Sequence, residues 1–95
     1  MTVKKQVSFN YAKRNEIIPV DLTGSFEYSI TNTGLYTVMY GWDKDTVPDI
    51  PLDPGDLHTH SCSPGDTWGH MLYIGFDNNG SSVRLMISNT DNTQN

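Results

Sequence analysis

Two Pro-Gly-Asp triplets, at 54–56 and 64–66, stand ten residues apart and bracket the stretch 57–63. In each, proline presets φ for the second place of a turn, and glycine takes the positive φ that other residues resist, which specifies a type II turn. Between two such reversals the chain has room for a short strand. The rest of the sequence follows the same grammar. Val7, Phe9 and Tyr11 alternate with polar residues, as do Phe26, Tyr28 and Ile30, and later Val83, Leu85 and Ile87. This is the period-two pattern of half-buried strands. Asn32-Thr33-Gly34 and Asp77-Asn78-Asn79-Gly80 carry hairpin-type turn chemistry. No helical period lasts longer than a turn.

These signals predict six strands, at about 6–11, 25–31, 35–42, 57–63, 71–76 and 82–88, with a proline-interrupted edge segment at 17–22 as a seventh. Leu35 and Met39 are apolar opposite Tyr36, Val38, Tyr40 and Trp42, so the 35–42 strand is expected to be buried on both faces. Residues 43–56 hold five Asp and three Pro in fourteen positions and read as an extended crossing loop pinned by Ile50 and Leu52. The predicted fold is an all-β antiparallel β-sandwich, Greek-key or jelly-roll-like, with six to seven short strands. At 95 residues there is room for one domain with a modest core. It divides into a basic N-terminal arm with the first strand (1–14), a sandwich body (15–88) and a polar tail (89–95).

Charge is unevenly placed. Lys4, Lys5, Lys13 and Arg14 are four of the six basic residues, whereas the remainder carries Lys44 and Arg84 against all eleven acids. A basic arm on an acidic body suits docking on an acidic protein partner, including another copy of the chain. The acidic body argues against direct nucleic-acid binding. No apolar run reaches the length of a membrane span, and no signal peptide is read at the start, so a non-membrane location is expected. One cysteine forms no internal disulfide.

His58, His60 and Cys62 fall at i, i+2 and i+4 and share one strand face, a spacing that suits a zinc-type metal. If 57–63 and 70–76 formed a hairpin, His70 would lie near Cys62 and about 12–15 Å along the strand from His58. The register therefore favours an ordinary strand over a metal centre, and no cofactor is expected. The His-x-His resembles that of cupins, but Ser63, Pro64 and Gly65 stand where a cupin glutamate would follow. Asp43, Asp45 and Asp49 offer calcium ligands, yet Pro48 and Pro54 occupy the places that a calcium loop gives to Gly and Glu. No serine elbow, phosphate loop or dinucleotide fingerprint occurs, and the chain reads as a non-enzyme. Trp42 and Trp68, each at a strand end beside a polar loop, are the candidates for stacking on a carbohydrate.

YGWD at 40–43, PLDPGD at 51–56 and WGHMLYIGF at 68–76 resemble small β-sandwich proteins of bacteriophage virions, of the capsid-decoration and head-fibre type. The resemblance spans residues 40–76. It implies a virion protein that decorates or assembles a capsid through protein contacts, localised to the virion or otherwise cytoplasmic, with Lys4, Lys5, Lys13 and Arg14 as docking residues.

Overall fold

In the computed structural model, residues 2–13 and 15–90 are described. They form eight strands: β1 (Thr2–Asn10), β2 (Glu16–Asp21), β3 (Ser25–Asn32), β4 (Val38–Gly41), β5 (Ile50–Leu52), β6 (Leu57–Ser61), β7 (Met71–Phe76) and β8 (Ser82–Thr90). The first sheet has the order β1-β8-β3-β6 and the second β2-β7-β4-β5, and every pairing is antiparallel. Only β4 and β5 are consecutive strands in one sheet; elsewhere the chain changes sheet at each step around β3, β6 and β8. This is the strand order of a jelly roll. The all-β sandwich expectation holds, with eight strands in place of six or seven.

Alternation builds the interior. Along β7, Leu72, Ile74 and Phe76 are fully buried while Met71, Tyr73 and Gly75 face outward. Tyr28, Ile30, Val83, Leu85 and Ile87 from the first sheet meet Val20, Val38, Tyr40 and Leu52 from the second. Each fully buried aliphatic or aromatic side chain contributes about 1.5–3 kcal/mol relative to exposure. In β3 the alternation slips at a bulge between Ser25 and Glu27, which buries Ser25 and leaves Phe26 only half-buried. Phe26 thereby leaves the face that a simple period of two assigns to it.

The two Pro-Gly-Asp turns form as expected. Asp56 N–H donates to Asp53 C=O and Asp66 N–H to Ser63 C=O, both at 2.9 Å, and Gly55 and Gly65 adopt φ of 86° and 87°.

Both expected hairpins are instead crossings between sheets. β3 lies in the first sheet and β4 in the second, and β7 and β8 are likewise separated. The 57–63 and 70–76 segments also part, with β6 pairing β3 and β7 pairing β2 and β4. The reason is visible at the turns. Thr33 N–H donates to Ser82 C=O and Leu35 N–H to Gly80 C=O, both at 3.0 Å, so each turn uses its backbone on the other. Gly34 sits in that seam; a Cβ there would lie 2.5 Å from Ser82 N and 2.6 Å from Gly80 O. Asn32, 2% exposed, locks the same corner by donating to Tyr36 C=O at 2.7 Å and Leu52 C=O at 2.8 Å.

Three further expectations change. Ile50–Leu52 is a strand despite Pro51, because β5 is an outer strand where a missing N–H breaks no ladder. Pro19 in β2 has the same licence on the opposite edge of that sheet, where the edge segment was expected. β4 is shorter than predicted and buried on one face only: Val38 and Tyr40 are buried, whereas Met39 is 40% and Leu35 77% exposed. Asn89 and Thr90 belong to β8, and the remainder of the expected tail, 91–95, lies outside the described residues.

Candidate aromatic and histidine site

β6 turns Leu57, Thr59 and Ser61 outward and His58 and His60 toward the opposite sheet. An outer strand with two inward imidazoles needs polar partners inside, and Tyr40 on β4 supplies them. Its hydroxyl lies 2.8 Å from His58 Nδ1 and 2.8 Å from His60 Nε2. With a single proton, that hydroxyl donates to one ring and accepts from the other, so the two histidines hold opposite hydrogen-bonding roles. A second pair lies alongside: Trp42 Nε1–H donates to the Tyr28 hydroxyl at 2.8 Å. Trp68, in the β6–β7 connection, packs edge-on to Tyr28 with ring centroids 5.1 Å apart, and His70 lies 6.1 Å from Trp68.

Burial governs the electrostatics. It pushes both the Tyr28 and Tyr40 hydroxyls above the ordinary phenol range, the Trp42 hydrogen bond opposing the shift at Tyr28. It lowers the His60 imidazole below the ordinary value of 6.5, and the neighbouring His58 adds to the depression. Burial thus favours the uncharged forms of His60, Tyr28 and Tyr40.

Tyr28, Trp42, His60, Ser61, Trp68 and His70 together line an open depression of about 290 Å³. Trp42 and Trp68, singled out from sequence for their places at strand ends, therefore converge. His58 and His60 also converge, but on Tyr40. Cys62 does not join them; it lies in a separate depression with Phe26, Pro64 and Asp66. There, desolvation and then the Asp66 carboxylate push its thiol upward, away from the thiolate that a metal requires. Among the described residues, no three of His, Cys, Asp or Glu gather to hold a metal ion. His70, placed near Cys62 by the hairpin expectation, comes instead to Trp68, because β6 and β7 lie in different sheets.

Lys4 and Lys5 are exposed on β1, an outer strand, and Lys13 is exposed in the β1–β2 connection; Arg14 lies outside the described residues. Phe9 on the same strand packs against the core.

One feature escaped the sequence reading. On the outer face of the second sheet, Ile17 and Met39 flank Gly75 in register across three strands, and Val47 and Pro48 close a groove of about 270 Å³. Asn15, Glu16 and Asp77 rim it. The available signal was Met39 on the nominally polar side of β4, together with a strand glycine that leaves a dent. No protein family, curated protein or solved structure matches the chain.

Proposed function

We propose that this chain is a non-enzymatic interaction module, a capsid-decoration or virion-assembly protein that acts through protein–protein contacts. The apolar groove on the outer face of the second sheet carries the reading. An antiparallel sheet open to water ordinarily presents polar side chains there, and apolar patches rimmed by polar residues mark docking surfaces. Ile17, Met39 and Val47 are 49%, 40% and 79% exposed around Gly75. The partner that fits presents an apolar side chain to Gly75 and a cation or N–H donor to Glu16 and Asp77. The jelly-roll order and the resemblance over residues 40–76 agree with this role, while fold alone assigns none.

The lysines at 4 and 5 are the second contact of the same reading. Deleting residues 1–14 would remove β1 and the core contact of Phe9, so charge reversal isolates them better than truncation. The test is incorporation into particles formed by the shell proteins encoded beside this chain. Wild-type protein co-purifies at fixed stoichiometry, whereas Ile17→Asp/Met39→Asp, with unchanged circular dichroism, does not, and Lys4→Glu/Lys5→Glu incorporates weakly. Equal incorporation of the groove variant, or a gene neighbourhood without particle proteins, overturns the reading.

A further inference from the structure

The groove leaves the depression between Trp42 and Trp68 without a role. Four observations concern it. First, its tryptophans are held in place before any ligand arrives: Trp42, 40% exposed, spends its N–H on Tyr28, and Trp68 is wedged against the core. A fixed, exposed indole offers an apolar face at little entropic cost. Second, polar atoms stand beside those faces. His60 and His70, one from β6 and one from the β6–β7 connection, bring their rings to the depression. His70 hydrogen-bonds through Nδ1 to the Met71 carbonyl at 3.2 Å, and no hydrogen bond occupies its Nε2 among the described residues.

Third, none of the six lining side chains is a carboxylate, lysine or arginine, so the site is not built around a charged group. His60, fixed by Tyr40 through Nε2, contributes a neutral imidazole edge. Fourth, about 290 Å³ lies just below the ~300–1,000 Å³ usual for drug-sized ligands, room for a small one, and the opening faces solvent.

We propose that this depression is a carbohydrate-binding site that takes one neutral pyranose ring, stacked on Trp42 and Trp68 and hydrogen-bonded by His60 and His70. Apolar C–H faces and hydroxyls on one ring match a lining of two indoles with imidazole nitrogens beside them. The site lies apart from the outer-face groove and stands independently of the virion reading. In a particle component it would add recognition of a glycan surface to docking on the shell.

The test uses the full chain and four probes, the methyl glycosides of glucose, galactose, mannose and N-acetylglucosamine, with adenosine as a comparison compound. Each is titrated to about 50 mM, above the millimolar Kd that a single-ring site supports, with tryptophan fluorescence as readout. One probe is expected to saturate. Trp42→Ala then weakens binding about five- to tenfold. Because that change also removes the Tyr28 hydrogen bond, His70→Ala serves as a second variant whose side chain is exposed and lightly tied; it weakens binding at least about twofold. Ile17→Asp, on the other face, binds as wild type. No saturation by any of the four, saturation unaffected by both site variants, or preferential saturation by adenosine, whose planar base would also stack, overturns the proposal.

Discussion

At the scale of single residues, Tyr40 does the most varied work. It is fully buried, it belongs to the core, and its hydroxyl is the only group bridging His58 and His60 among the described residues. Replacing it with Phe preserves packing but strands two imidazole nitrogens, which costs about 1–3 kcal/mol. Urea denaturation of Tyr40→Phe should show this as a lower midpoint with an unchanged slope. The same cluster sets a pH dependence. The folded His60 has a lower pKa than the unfolded chain, for which 6.5 is the ordinary value, because burial and then His58 disfavour its charge. The unfolded state therefore takes up the proton first. Stability contributed by neutral His60 is complete above that value and declines as pH falls through the folded pKa. Denaturation midpoints measured from pH 8 down to pH 5 should fall over the acidic end, and His60→Gln should flatten the slope. Tyr28, Tyr40 and Trp42 face the ring, and neither they nor the neighbouring His58 offers a negative charge that would reverse the sign. The His-x-His spacing revealed a shared face from sequence, but its partner sits 18 and 20 residues upstream on another sheet. Nothing local to β6 encodes that meeting.

At the scale of elements, the turns teach the most. Asn32-Thr33-Gly34 and Asp77-Asn78-Asn79-Gly80 were legible as reversals, since Asn and Gly relieve the strain of tight turns wherever they occur. Turn chemistry specifies that the chain reverses; it does not specify which neighbour the next strand will pair with. Here the choice is made by the seam in which Thr33 and Leu35 bond to Ser82 and Gly80. Gly34→Ala would drive a methyl against backbone on two sides, where no flexible side chain can yield, and should cost about 3 kcal/mol or more. Chemical denaturation of that variant checks it directly; a loss below about 1 kcal/mol would mean that the two turns separate easily. β5 was missed for a different reason. Three prolines suggested a loop, and only its position at an outer edge makes Pro51 compatible with a strand.

At the scale of the whole molecule, alternation and turn spacing made the fold class legible, because a two-layer sandwich is the direct result of many short strands with one apolar face each. The layer to which each strand belongs was not legible. β1 pairs β8 from Thr2↔Thr90 to Asn10↔Ser82, joining the two ends of the described chain, and such pairing leaves no local mark. Convergence of Trp42 with Trp68 follows from the same long-range order, although each tryptophan was recognisable by its place at a strand end. The outer-face groove is also a product of assembly: Ile17, Met39 and Gly75 come from three strands, and no window of the sequence contains them together.

The two prolines on the second sheet have a further effect, on the behaviour of the protein at high concentration. Pro19 and Pro51 occupy both outer strands of that sheet, and Lys4 and Lys5 charge one outer strand of the other. Proline and lysine are the residues that discourage edge-to-edge growth. β6 is the remaining outer strand, it carries neither, and its first residue, Leu57, is 60% exposed. Three of the four borders of the molecule are guarded against runaway strand addition, and the fourth, beside the histidines, is where crowded or partly unfolded copies would first adhere.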